Sequence, residues 1–322
     1  MMKNEMLTID DFFNSTRNDL EKKIKSTISD KEILFILEGG KRLRSLLAQL
    51  AFKACTQGGE SPEVYQKSLE GSVSVELAHG ASLVHDDIID NDIKRRGKPA
   101  FHIREGIGKA LLTGHKMIAI GFKIALKHGR ELAELYVESW NKVVNGELYE
   151  VNFNKNGFKN PDGMSTKSAI FEAYKKIIDM KTAELFSSAC KAGALEADMT
   201  GDILKVFADY GREIGLAYQL ADDLVDLANG EMIDSVILPL LNRFEKKTLK
   251  TNPFKTREIK KKFRENKEEI KKLYLAEIKK HIKKAEELSK LEIIPSSPYK
   301  KLLTQAPSYI INRMLSEINI AV

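Results

Sequence analysis

The stretch Glu76-Leu77-Ala78-His79-Gly80-Ala81-Ser82-Leu83-Val84-His85-Asp86-Asp87-Ile88-Ile89-Asp90 decides how this chain is read. An apolar run at helical spacing ends on a group of carboxylates. A second stretch, GLAYQLADDLVD from Gly215 to Asp226, repeats the design. On a helix, residues i and i+4 share a face, so Asp86 and Asp90 point the same way, as do Asp222 and Asp226. Four carboxylates at the ends of two apolar helices repel unless cations sit between them. Hard carboxylate oxygens with room for water suit Mg²⁺, which usually also holds a substrate phosphate. Surface acids on solvated helices would account for one such motif by chance, but poorly for two.

Outward from these motifs the pattern stays helical. Leu43, Leu46, Leu47, Leu50 and Ala51 form one apolar face. Ile203, Val206, Phe207, Tyr210, Ile214 and Ala217 form another. Strand-like alternation is scarce, and the 8 prolines fall at breaks in the pattern. Loops are expected at Thr56 to Ser61, Lys94 to Gly108 and Asn154 to Thr166. The expected architecture is all-α, a single large helical bundle domain over residues 1–322. A helical core of this size commonly oligomerises, and a homodimer is expected.

Composition bounds the classes. With 322 residues, 43% hydrophobic and 30% charged, the chain is neither disordered nor fibrous. No run reaches the roughly 18 apolar residues of a membrane span. The first twenty residues lack the basic-then-apolar order of a signal peptide, so none is expected. Cys55 and Cys190 cannot build a disulfide framework, and a cytoplasmic, reducing setting is expected. The net charge of +6 is local: Lys246 to Lys284 holds 16 Lys and Arg against 5 Glu, and the remainder is acidic. That segment keeps apolar positions at helical spacing (Phe263, Ile270, Leu273, Ile278, Ile282), so it reads as a solvated outer helix face. Weak association with an anionic membrane surface is a second reading of it. No nucleic-acid-binding signature accompanies it, and a nucleic-acid partner would leave both acidic motifs unexplained.

Cations lie where a phosphate-rich ligand would need them. Gly39-Gly40-Lys41-Arg42-Leu43-Arg44 leads into a helix, and Lys41 and Arg44, spaced i, i+3, are expected on one face. Lys94-Arg95-Arg96-Gly97-Lys98 follows the first acidic motif as a basic loop, and Lys181-Thr182 adds another cation and a hydroxyl. Arginine forks match phosphate oxygens bidentately. Together these residues describe a cleft for two polyphosphates, one held through metal ions and one directly by cations.

The residues now quoted carry a resemblance. The chain resembles the trans-isoprenyl diphosphate synthases (polyprenyl synthetases), of the geranylgeranyl and geranylfarnesyl type, through GGKRLR, ELAHGASLVHDDIIDNDIKRRGKPAFH, NGELYE, KKIIDMKTAELFSSACKAGA and GLAYQLADDLVDL, in family order over residues 35–241. A basic helical C-terminal part, 246–322, follows, with a looser echo in APSYIINRM. The resemblance implies a bundle of the isoprenoid synthase type with its active-site cavity between central helices. It also implies head-to-tail condensation of isopentenyl diphosphate with an allylic diphosphate. Asp86, Asp90, Asp222 and Asp226 would be the metal ligands, about three Mg²⁺ per loaded site. Arg95, Lys181 and Gln219 would contact the allylic diphosphate. Lys41, Arg44, His79 and Arg96 would hold isopentenyl diphosphate. Thr182 and Gln219 would face the allylic cation, and the departing diphosphate would take the proton. His85, directly before Asp86, is placed to orient a carboxylate.

Product length has its own signal. Moving back from Asp86, Ser82, Ala78, Ser74 and Gly71 share a stripe, with Ala81 beside it, and all are small. In the family a bulky aromatic four or five places before the first motif gives a short product; Ser82 and Ala81 stand there. An open tunnel and a product of about twenty to twenty-five carbons are expected, with Phe122 or Ile118 of a facing helix as the floor. Small residues that merely permit close helix packing are the plainer reading of the stripe. After the second motif, DLANGEMIDSVILPLL is shorter than the family pattern and lacks its usual lysine, for which Lys246 or Lys247 would substitute. Ser45 and His115 also depart from the family pattern. These departures sustain the alternative of a non-catalytic or regulatory subunit of a hetero-oligomeric synthase, against which the intact acidic motifs stand.

Overall fold

A computed structural model describes residues 7–156, 166–229 and 265–322. Among them the chain forms twelve α-helices and one minimal hairpin, in line with the all-α expectation. Local chemistry starts the early helices. Thr8 accepts from the Asp11 amide at 3.2 Å to open α1 (Ile9–Thr27). Asp30 accepts from the Glu32 and Ile33 amides to open α2 (Lys31–Leu37). Ser61, followed by a proline in the first turn, opens α4 (Pro62–Ile89). Each such cap is worth about 1 kcal/mol. Between them lies α3 (Leu43–Thr56), whose cap Arg42 is left-handed at φ 57°.

The segment expected as one loop, Lys94 to Gly108, is instead ordered. Lys94–Arg95 pairs antiparallel with Lys98–Pro99, and Arg96 and Gly97 turn between them at φ 52° and 75°. Two positive φ angles in a two-residue loop match the twist of paired strands. α5 (Phe101–Glu105) and α6 (Ile107–His128) follow directly. Then come α7 (Arg130–Asn156), α8 (Thr166–Ile178), a π-helical turn (Asp179–Ala183), α9 (Glu184–Glu196) and α10 (Asp202–Asn229). α11 (Lys267–Ser289) and α12 (Pro298–Leu315) complete the helices, with a short 3₁₀ turn (Ser316–Ile318) after them. Pro307 lies inside α12 rather than at a break, because one missing amide donor does not end a helix held by packing.

The chain divides into two compact units that alternate along the sequence. Unit one is 1–140, 185–211 and 288–305; unit two is 141–184, 212–287 and 306–322. In unit one, α4 packs most extensively on α6. Leu20 and Ile24 of α1, Ile33 and Leu37 of α2, Leu77 of α4 and Met117 of α6 bury together in one apolar cluster. Each fully buried aliphatic side chain contributes roughly 1.5–3 kcal/mol. In unit two, Tyr174, Tyr274 and Ile278 are fully buried. Along α11, Ile270, Ile278 and Ile282 face inward while Lys272, Lys279, Lys280 and Lys283 are exposed, which is the solvated outer face expected of the basic segment. Phe263, Lys246, Lys247 and the departures after the second motif lie outside the described residues. Among the described residues no helix is long and apolar enough to cross a membrane. Cys55 and Cys190 are both buried and reduced.

Candidate active site

The first acidic motif closes α4. Asp90 caps the helix, its amide donating to the Asp86 carbonyl at 2.8 Å, so the i, i+4 pair sits on the last turn. Asp86 is half-buried and Asp90 exposed, whereas Asp87 is 3% exposed. Asp87 is held from the hairpin: Arg95 Nε donates to its Oδ1 at 2.7 Å, Arg95 Nη2 bonds to it as well, and Nη2 also donates to Asp92 at 3.0 Å. Burial pushes the Asp87 carboxyl above its ordinary range, and the Arg95 guanidinium opposes that push. Arg95, expected on a diphosphate, is thus fixed by two carboxylates beside the motif. His85 turns away from the carboxylates onto α6, where its ring stands 5.3 Å from that of His115.

The cations of unit one gather beside this end. The expectation that Lys41 and Arg44 share a helix face fails, because left-handed Arg42 precedes the first turn and the helix begins at Leu43. Lys41 is exposed, and its carbonyl accepts from Arg17. Arg42, which sequence reading passed over, is the buried member: it is 4% exposed and pairs with Glu21 at 2.8 Å and Glu76 at 3.1 Å. A Cβ on Gly40 would lie 2.6 Å from Arg42 Nη1, so glycine makes the room this guanidinium needs. Arg44 Nη1 lies 3.0 Å from His79 Nε2, and its guanidinium stacks 4.4 Å over the Phe186 ring. Burial first, then the charges of Arg44, Arg96, Arg42 and Arg95, hold His79 well below its ordinary pKa. His79 is therefore neutral near pH 7, and Nε2 accepts from Arg44. That leaves Nδ1 as the donor, and it is buried with no hydrogen-bond partner among the described residues. Arg96 Nη1 donates at 2.7 Å to the Glu38 carbonyl at the end of α2. A pocket opens near Arg96, lined among others by Gly39, Asp87, Arg95, Arg96 and Lys98. Arg42, Arg44, Arg95 and Arg96 thus act on a neutral imidazole with an unmet donor, Arg42 and Arg95 already paired with carboxylates; such a cluster attracts multiply charged anions.

Unit two builds the second motif differently. Asp222 and Asp226 are half-buried on α10, and Asp223 between them is fully buried. Asp223 is held by neutral donors: Tyr174 Oη bonds to Oδ2, and Gln219 Nε2 donates to Oδ1 at 3.0 Å. Burial pushes its carboxyl up to about 7, and the neighbouring Asp222 and Asp226 add to the shift. The π-helical turn carries Lys181 and Thr182, and such turns recur at functional sites. Thr182 Oγ1 donates to Gln219 Oε1 at 2.7 Å, and Lys181 pairs with Glu147 at 2.6 Å and with Glu150. A Cβ on Gly146 would lie 2.7 Å from the Met180 Cβ, so this turn packs directly onto α7. Lys181, Thr182, Gln219 and Asp223 therefore form one linked group in this unit.

Further back along α4 from the first motif, unit one holds an apolar cavity. Ala78, Ser74 and Gly71 of α4 line one wall, and Tyr136 and Trp140 of α7 stand in another. Ala81 is not among the lining residues; it is fully buried in the cluster with Leu37, Leu77 and Met117. Ser82 is not among them either, and its hydroxyl donates to the His79 carbonyl at 2.9 Å. Phe122 is 38% exposed and Ile118 packs behind Tyr136, so neither residue expected as the floor lines the cavity.

The residues that could hold a metal are carboxylates: Asp86 and Asp90 within unit one, and Asp222 and Asp226 within unit two. Among the described residues no three His, Cys, Asp or Glu side chains come together as a complete cage. That fits Mg²⁺, which uses one or two carboxylates and takes its remaining oxygens from water and substrate phosphate.

Comparison with known proteins adds to this geometry. A family model described as polyprenyl synthetase matches residues 28–234. A short chain isoprenyl diphosphate synthase of Methanothermobacter thermautotrophicus is 30% identical over 239 residues, which are 70% of this chain and 69% of that protein. A geranylfarnesyl diphosphate synthase of Methanosarcina mazei is 27% identical over 280 residues, 87% of this chain and 84% of that one. The crystal structure of geranylgeranyl pyrophosphate synthetase from Pyrococcus horikoshii superposes with a TM-score of 0.72 at 25% identity, covering 94% of this chain and 99% of that one.

Proposed function

Because the chain belongs to the polyprenyl synthetase family, and is by that membership a trans-prenyltransferase, we propose that it condenses isopentenyl diphosphate head-to-tail with an allylic diphosphate. The proposed product is an all-trans prenyl diphosphate of about 20–25 carbons, because the α4 wall of the apolar cavity is built of the small residues Gly71, Ser74 and Ala78. One observation carries the reading. A single helix, α4, ends in the Asp86–Asp90 pair and, further back, lines an apolar cavity with the small residues Ala78, Ser74 and Gly71. A charged head and a hydrocarbon tail are thereby served by one rigid element.

In this reading Asp86, Asp90, Asp222 and Asp226 hold Mg²⁺, which when bound neutralises the diphosphate that leaves. Arg95, locked by Asp87, presents fixed N–H groups to the allylic diphosphate, together with Lys181 and Gln219. Lys41, Arg44, His79 and Arg96 take isopentenyl diphosphate, with Arg42 fixing the turn that places them. Thr182 and Gln219, already joined at 2.7 Å, turn oxygens toward the allylic cation. The allylic C–O bond breaks, the new C–C bond forms, and the departing diphosphate accepts the proton. The proposed prenyl synthase domain spans 1–322, with one acidic motif in each unit. A homodimer is supported by the exposed apolar side chains Leu111, Leu112 and Leu126 of α6 and Val137, Val144 and Leu148 of α7, which a second copy would cover. The cytoplasm is the proposed compartment. Association of the basic face of α11 with an anionic membrane surface would serve delivery of a greasy product. No observation favours a non-catalytic subunit.

The test offers purified protein, Mg²⁺ and labelled isopentenyl diphosphate with each allylic primer in turn, and sizes the alcohols after phosphatase treatment. A discrete prenyl product that vanishes on adding EDTA is expected. Absence of condensation with every primer would reject the reading.

A further inference from the structure

The apolar cavity carries one charged side chain in its lining. Glu196, the last residue of α9, lines it and is 8% exposed. Its Oε1 lies 2.6 Å from His128 Nδ1 at the end of α6. Its Oε2 is buried with no hydrogen-bond partner among the described residues. His128 Nε2 in turn lies 3.8 Å from Glu70 Oε2. A Cβ on Gly71 would stand 2.1 Å from Glu196 Oε1, so the glycine of the small-residue stripe is the seat of this carboxylate. Local rules disfavour the arrangement, because an anionic side chain in the last helical turn faces the negative end of the helix dipole. A buried carboxylate oxygen without a donor is also costly. Residues that break local rules in this way mark function more often than packing.

We propose that the Glu196–His128 pair is the floor that stops prenyl growth, a specificity-determining pair for product length. The inference rests on the proposed prenyl transfer. A hydrocarbon tail that reaches Glu196 can lengthen only by displacing a carboxylate that His128 holds at 2.6 Å, and an apolar chain cannot replace that hydrogen bond. The reach agrees. Gly71 stands fifteen residues before Asp86 on α4, about 22 Å at 1.5 Å per residue. An extended chain spans ~1.2 Å per bond, so a four-bond prenyl unit spans ~4.8 Å. About four to five units therefore fill the distance from the metal-binding end to the floor.

The test sizes products of the wild type and of Glu196→Ala, Glu196→Gln and His128→Ala. Glu196→Ala and His128→Ala each open the floor and should lengthen the main product by one or more five-carbon units. Glu196→Gln keeps a polar group of the same size and should keep the wild-type length. If Glu196→Ala fails to fold by circular dichroism, His128→Ala decides alone. Folded variants that all give the wild-type product would overturn the floor. A wild type inactive with every primer would instead overturn the prenyl transfer beneath it.

Discussion

The two acidic motifs share a spacing and differ in what holds their middle residue. Asp87 is clamped by a cation, Arg95, whereas Asp223 is clamped by the neutral donors Tyr174 and Gln219. In both, the outer aspartates reach solvent and the middle one is buried. A repeat in sequence is thus a repeat in geometry but not in electrostatics. The first motif keeps its buried charge by pairing it. The second leaves a carboxyl whose pKa is pushed up to about 7, poised between charged and neutral.

The largest effect should come from removing an outer carboxylate. Asp86→Ala and Asp222→Ala should each lower kcat/KM about 10³-fold, some 4 kcal/mol at 1.36 kcal/mol per decade. Steady-state kinetics in saturating Mg²⁺ checks this, and a loss confined to one motif would break the equivalence of the two. Arg95→Ala comes next. It strands Asp87, whose side chain is 4% exposed, without its cation. Because Arg95 itself is 37% exposed, solvent discounts the penalty to about 2 kcal/mol, measurable as a lower urea midpoint. Asp223→Asn sharpens the contrast through pH. A carboxyl raised in the folded state binds a proton more tightly there than when unfolded. Its contribution to stability is therefore full below its unfolded pKa near 3.8 and is lost as pH rises through about 7. Urea unfolding of metal-free protein from pH 4 to 8 should show that decline in the wild type and a flatter profile in Asp223→Asn. The separation should reach a few kcal/mol, since the rise from 3.8 to about 7 is roughly three pKa units at about 1.36 kcal/mol each. Equal slopes would mean that the second motif is buffered no differently from the first.

Helices, the two aspartate pairs and the small stripe were legible because they are statements about spacing. Spacing says nothing of which charge is buried. Arg42 stands in the quoted GGKRLR, yet only the fold reveals that it sits between Glu21 and Glu76 and that its left-handed backbone detaches Lys41 from the helix of Arg44. Asp87 and Asp223 were hidden in the same way, inside motifs read for their outer members. The π-helical turn under Lys181 adds a residue that no 3.6-residue template anticipates. The stripe was read one turn too far toward Asp86, because Ala81 faces Met117 rather than the cavity. Glu196 gave one faint signal, an acid closing a helix in an otherwise apolar run, and its partner His128 is 68 residues away.

The hairpin after the first motif has a kinetic side. Its left-handed turn leaves Lys94, Arg96 and Lys98 exposed around the anion pocket. An incoming diphosphate would feel that field before it touches any side chain, which shortens its search by diffusion. The reach of the field is the screening length, about 10 Å at 0.1 M salt and 3 Å at 1 M. Capture rate, unlike the depth of the cavity, is therefore set by the solution as much as by the protein.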